Sequence, residues 1–138
     1  MSHSVSIVIL ALNEAPTVKL SYMTYKSVFN ERQLDYEIFI VNDGSTDKTG
    51  EIADEISLSD PLVKVIHHPK PYGMGYGYKE VSRLTQKDYL MFTGAYDAER
   101  KQDINVVLDQ MGKSDLVLIN INNPEARPFI RQFLSSVF

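Results

Sequence analysis

Four short polar clusters in this chain carry side chains able to do chemistry. Asn13-Glu14 follows an apolar run. A carboxylate there can accept hydrogen bonds from a sugar or a base; it equally suits the start of a helix, where an acid favours the macrodipole. Asn42-Asp43-Gly44-Ser45-Thr46-Asp47 follows a second apolar run. Asp43 would project from the strand end into a crevice and bind a ribose hydroxyl or a base N–H. The plainer alternative is a capped turn, with Gly44 at positive φ and Ser45 or Thr46 capping the next helix. The third cluster runs from His67-His68 to Tyr78, with Gly73, Gly75 and Gly77 at alternate positions. Such spacing means close backbone approach or flexibility, and free N–H groups at a helix start suit anions. It is no P-loop, because no Gly-Lys-Ser/Thr follows. The adjacent histidines suit a metal or, more commonly, a solvated or hydrogen-bonded pair. The fourth cluster, Gly94 to Glu99, holds Asp97 and Glu99 with Asp103 nearby. Carboxylates at a strand end can hold a divalent cation against a diphosphate; the alternative is a polar loop before a helix.

These clusters need elements to position them, and the sequence supplies an alternation. Residues 4–10 (SVSIVIL) are nearly all apolar, as expected for a parallel strand buried on both faces. Residues 14–29 read as a helix, with Pro16 in its first turn and Val18, Tyr22, Tyr25 and Phe29 on one face. Residues 36–41, 62–66, 88–93 and 115–119 read as four further strands. Between them lie helical windows with Thr49, Ile52, Ala53 and Ile56 facing inward, then residues 73–85, then Ile104, Val107, Leu108 and Met111 on one face. Strict alternation predicts an α/β fold, a mostly parallel Rossmann-like sheet flanked by helices. Ligands in such sheets bind outside the carboxyl ends of the strands, where all four clusters fall.

The chain has 138 residues, 43% hydrophobic and 23% charged, the profile of one soluble globular domain. A net charge of −4 argues against nucleic acid as a partner. With no cysteine, disulfides and thiolate metal sites are excluded, and a cytoplasmic location is expected. The apolar run from Val5 to Leu12 is too short for a membrane span and lacks the flanks of a signal peptide. The first βα turn, residues 10–15, has no glycine, which disfavours a dinucleotide-binding oxidoreductase.

In this order and spacing, VSIVILALNE (5–14), EIFIVNDGSTDKTGEIA (37–53), VKVIHHPKPYGMGYGYKEV (63–81) and DYLMFTGAYDAERKQDI (88–104) resemble family 2 glycosyltransferases of the GT-A fold. The likeness is greatest to transferases of polyprenyl- and dolichyl-phosphate sugars, and it spans essentially the whole chain. It implies a nucleotide-sugar donor, Mg²⁺ or Mn²⁺, and transfer to a saccharide hydroxyl or a lipid phosphate, in cell wall or polysaccharide biosynthesis. It places the nucleotide-sugar contacts at the backbone of Leu10 and Leu12, at Glu14, Asn42 and Asp43, and at Ala95.

The chain departs from the family pattern at several positions. Leu10 stands where most members carry proline, and Asn42 where they carry aspartate. The Asp-x-Asp metal positions are Gly94, Ala95 and Tyr96, so both carboxylates are missing. Asp97 and Glu99 offer a shifted acidic pair as metal ligands. No catalytic base is assigned, because the family's base and acceptor site lie mainly beyond the fifth strand. The chain therefore reads as one donor-binding domain, residues 1–138, forming a fragment of a longer one. The tail, residues 128–138, carries Phe129, Ile130, Phe133, Leu134, Val137 and Phe138 on one helical stripe, which suits contact with the inner membrane surface, a homodimer, or the sheet. The alternative to an enzyme is a degenerate domain that binds a nucleotide sugar without catalysis.

Overall fold

A computed structural model describes residues 3–95 and 99–117. Four strands, β1 (Ser4–Ala11), β2 (Asp35–Asp43), β3 (Val63–His68) and β4 (Tyr89–Gly94), form one parallel sheet in the order β3-β2-β1-β4. Helices α1 (Val18–Glu31), α2 (Thr49–Ser59), α3 (Met74–Ser82) and α4 (Lys101–Leu108) alternate with them. The α/β alternation expected from the sequence is the one observed. Asp115, Leu116 and Val117 are not part of a strand, and the rest of the expected fifth strand lies outside the described residues, as does the apolar tail.

Period-two geometry sends alternate residues of each strand to opposite faces. Val5, Ile7, Ile9 and Ala11 join Ile38 and Ile40 beneath α1, α2 and α4, meeting Tyr25, Phe29, Ala53, Ile56 and Ile104. Val8, Phe39 and Val41 face the other way and meet Val81 of α3. The two faces follow from chain direction. The β1–β2 and β2–β3 crossovers run toward one sheet edge, whereas the β3–β4 crossover returns past β1. Right-handed crossovers in opposite directions put their helices on opposite faces. Burying each such Ile or Phe side chain contributes about 1.5–3 kcal/mol, which makes the sheet the framework for everything at its edges.

The helix ends differ from expectation for local reasons. Helix α1 begins at Val18 and not at Glu14, because residues 15–17 form turns in which Thr17 and Val18 donate N–H groups to the Glu14 carbonyl. It closes with Gln33 at φ 53° and the Leu34 N–H on the Phe29 carbonyl at 3.0 Å, the pattern of a left-handed C-terminal cap. Neither Ser45 nor Thr46 caps α2. The Asp47 carboxylate takes the Thr49 N–H at 2.9 Å instead, while Ser45 and Thr46 are engaged by the loop after β1.

Candidate functional site

All four strands are parallel, and the strand order reverses between β1 and β4, so the crevice outside their carboxyl ends is the topological switch point. Leu10 and Gly94 are register partners there, and the Ala95 N–H extends the pairing to the Leu10 carbonyl at 2.8 Å. Helix α3 closes in on the same place. A Cβ on Gly77 would lie 2.8 Å from Leu10 Cδ1, so glycine lets the helix approach this closely. The structure thus brings Leu10, Leu12 and Ala95 to one edge, with Leu12 exposed.

The loops after β1 and β2 are laced together. Asn13, at φ 54°, presents its side-chain carbonyl to the N–H groups of Thr46 (2.8 Å) and Asp47 (3.3 Å). In return, the N–H groups of Asn13, Glu14 and Ala15 donate to Ser45 Oγ, Thr49 Oγ1 and Asp47 Oδ2 at 2.9, 2.9 and 3.2 Å. Five backbone N–H groups that would otherwise be open to a ligand are occupied, and the wall of the crevice is built in advance. The Thr17 hydroxyl lies 3.0 Å from Glu14 Oε2 and 2.5 Å from the Ala95 carbonyl oxygen. One hydroxyl proton serves one acceptor at a time, so Thr17 donates either to Glu14 or to the loop after β4.

Asn42 and Asp43 take more interior places than the sequence reading gave them. Asn42 is buried, with its amide 3.0 Å from His67 Nδ1 and its carbonyl accepting the Ser45 N–H at 3.3 Å. His67 in turn reaches Asp54. Asp43 is 1% exposed and does not project into open space. Its Oδ1 is 2.7 Å from His68 Nδ1 and takes the Tyr72 N–H at 2.9 Å; its Oδ2 takes the Gly73 N–H at 2.9 Å. Burial opposes the Asp43 charge, but these donors outweigh it and hold the carboxyl below its ordinary range. Asp43 therefore anchors the glycine-rich segment. His68 completes the set through Glu80 Oε2 at 2.8 Å. Sequence reading found the histidine pair and the glycines but not Glu80 or Thr17; a carboxylate one helical turn past Gly77, and a hydroxyl just before α1, were the available signals.

Of the shifted acidic pair, Asp97 lies outside the described residues. Glu99 Oε1 accepts the Thr93 hydroxyl, and Oε2 is buried without a hydrogen-bond partner among the described residues. Tyr25 adjoins the same carboxylate; burial and then the Glu99 charge push its phenol up. No three His, Asp or Glu side chains among the described residues converge to hold a cation. Gly94 and Ala95 offer no carboxylate, and Glu99 alone does not make a divalent-cation site. A separate cavity of about 330 Å³, lined by His3, Arg32, Leu34 and Leu108 among others, sits at the opposite, amino-terminal end of the strands. The switch-point crevice is the better candidate, because it gathers backbone and polar groups from all four βα connections.

The sequence profile of glycosyl transferase family 2 matches residues 6–133. The chain belongs to glycosyl transferase family 2. It is 40% identical over 68 residues to the uncharacterized glycosyltransferase YkcC of Bacillus subtilis, covering 49% of this chain and 21% of that protein. It is 30% identical over 69 residues to a prophage bactoprenol glucosyl transferase homolog of Escherichia coli, covering 50% of this chain and 22% of the relative. These matches span about a fifth of the relatives' length. Among solved structures, the mannosyltransferase PcManGT of Pyrobaculum calidifontis, in complex with GDP-Man and Mn²⁺, superposes with a TM-score of 0.71 at 16% identity. That superposition covers 91% of this chain and 37% of the other. The GT-A architecture of the family 2 domain is thereby the fold of this chain. Among the described residues no helix is long and apolar enough to cross a membrane.

Proposed function

We propose that the crevice between β1 and β4 binds a nucleoside-diphosphate sugar, and that the chain is the donor-binding domain, residues 1–138, of a longer glycosyltransferase. The observation that carries this reading is the prebuilt wall at the switch point. Asn13, Ser45, Thr46 and Asp47 fix the loops after β1 and β2, and the Thr17 hydroxyl stands within hydrogen-bond reach of Glu14 and of the Ala95 carbonyl beside β4. A site organised before the ligand arrives loses less entropy on binding. Glu14 supplies an acceptor for sugar hydroxyls or base N–H groups, with the Leu10, Leu12 and Ala95 backbone beside it. Asn42 and Asp43 act from beneath, by fixing the loops that contact the nucleotide.

In the transfer itself an acceptor oxygen attacks the anomeric carbon, the bond from that carbon to the diphosphate oxygen breaks, and the nucleoside diphosphate leaves. The bactoprenol transferase relatives support a lipid phosphate as the acceptor. Such an acceptor is already anionic and needs no strong base. It also supports action at the inner membrane surface, with the apolar tail as the contact. A bound divalent cation would stabilise the leaving diphosphate. Gly94 and Ala95, together with the inward turn of Glu99, favour a second reading, a domain that holds the donor without catalysing transfer.

Calorimetric titration of UDP, GDP and their common sugars, with Mn²⁺ and with EDTA, tests the proposal. Binding of one nucleotide sugar at micromolar concentration is expected. Absence of binding by every nucleotide under both conditions would overturn the donor site.

A further inference from the structure

We propose that His68 is a positioning residue: as an imidazolium bridging Asp43 of β2 and Glu80 of α3, it locks the glycine-rich segment 70–77 against the sheet edge, and the segment loosens when that proton leaves. The inference rests on the reading of this edge as the donor site, which the segment borders.

The geometry leaves little choice of protonation state. The His68 side chain is 4% exposed, with Nδ1 2.7 Å from Asp43 and Nε2 2.8 Å from Glu80. A neutral imidazole has one N–H and could satisfy one carboxylate; only the imidazolium donates to both. Asp43 meanwhile holds the N–H groups of Tyr72 and Gly73, so one buried carboxylate joins the histidine to the backbone of the segment. The chain crosses Gly44 so closely that a Cβ there would lie 2.4 Å from the Lys70 carbonyl carbon. The rings of Tyr72 and Tyr76 stand edge-on to the imidazole at 5.0 and 5.3 Å, and the Lys70 ammonium lies over the Tyr72 ring. The charged or titratable groups around His68 are therefore Asp43, Glu80, the two phenols and, beyond Tyr72, Lys70.

Burial opposes the His68 charge, but the bonds from Asp43 and Glu80 and their negative charge prevail and raise its pKa. A raised histidine pKa contributes clamping that is complete below the ordinary value of about 6.5 and is lost as pH climbs through the raised one. Asp43 has a lowered pKa, so its share is present above the ordinary aspartate value of about 3.9 and is lost as pH falls through the lowered one. The clamp is closed between these limits and opens on the alkaline side.

Amide hydrogen exchange and His68 ring titration by NMR on the whole chain, from pH 6 to 10, test this. Protection of the Tyr72 and Gly73 amides is read against that of Ala95, whose acceptor is Leu10. As the His68 ring titrates, the Tyr72 and Gly73 ratios are expected to fall roughly tenfold, the scale of one lost hydrogen bond between charged partners. Glu80→Gln moves the midpoint to lower pH. His68→Asn shows low protection throughout. The affinity for GDP-mannose or UDP-glucose, whichever binds at pH 6, falls over the same range. Ratios that ignore the His68 titration, a Glu80→Gln midpoint equal to wild type, or a donor affinity unchanged while the amides open, would each overturn the proposal. Failure of both sugars to bind at any pH would instead defeat the donor reading, and the amide ratios would still decide the clamp.

Discussion

The side-chain carbonyl of Asn13 accepts the backbone N–H of Thr46 at 2.8 Å, joining the loop after β1 to the loop after β2. The same oxygen is 3.3 Å from the Asp47 N–H and from the Thr46 hydroxyl, and Asn13 sits at φ 54°, where asparagine is one of the few tolerated side chains. Asn13→Ala removes the acceptor and adds backbone strain. Urea unfolding is expected to show a loss of about 2–3 kcal/mol. Asn13→Gly keeps the backbone at ease and should lose less. Equal losses in the two variants would mean that the backbone plays no part.

Gly44 permits the loop after β3 to cross the end of β2. At φ +74°, with a Cβ position 2.6 Å from the Pro71 nitrogen, it has neither the conformation nor the space for a side chain. Gly44→Ala is expected to destabilise the fold by about 2–3 kcal/mol and to speed exchange of the Tyr72 and Gly73 amides. A stability within error of wild type would contradict the close crossing.

Glu99 presents a buried carboxylate oxygen without a partner among the described residues. The Tyr25 phenol and the Thr93 hydroxyl face this carboxylate, and an amide in its place removes the buried charge while keeping an acceptor for them. Glu99→Gln should be as stable as wild type or up to about 1 kcal/mol more so, and should leave any effect of Mn²⁺ on nucleotide binding unchanged. Abolition of the Mn²⁺ effect in this variant would establish Glu99 as a cation ligand.

Asp60 links α1 to the start of β3. Burial opposes its charge, but Lys26 Nζ at 2.7 Å, the Tyr22 hydroxyl at 2.7 Å and the Leu62 N–H hold its pKa below the ordinary value. A lowered carboxylate pKa gives stability that is present above about pH 3.9 and is lost as pH falls through the lowered value. Unfolding free energy should therefore drop at acid pH, and Asp60→Asn should flatten that limb. An acid limb of unchanged slope would assign the loss to other carboxylates.

The sheet was legible because a parallel strand buried on both faces leaves a nearly continuous apolar run; Val5–Leu10 and Tyr36–Val41 are each broken by one polar residue, Ser6 and Glu37, which are buried and bonded to each other at 2.7 Å. The inward faces of α1 and α2 were legible from helical spacing, and Tyr22, Tyr25, Ala53 and Ile56 are indeed buried. The weaker predictions concerned polar residues, whose places depend on partners distant in sequence. Asp43 is 25 residues from His68, and Asn13 is 33 from Thr46. No local rule pairs them. Composition located the edge where these residues meet, but not which of them face a ligand and which hold the loops. The first N–H of α2 goes to the Asp47 carboxylate for the same reason: Ser45 and Thr46 have nonlocal partners.

Amide chemical-shift mapping with the nucleotide sugar that binds shows whether the donor occupies the switch-point crevice. Shifts are expected at Leu10, Leu12, Glu14, Gly73, Gly77 and Ala95, with the amino-terminal edge around His3, Arg32 and Leu34 silent. Shifts confined to His3, Arg32, Leu34 and Leu108 would move the ligand to the opposite end of the sheet and contradict that placement.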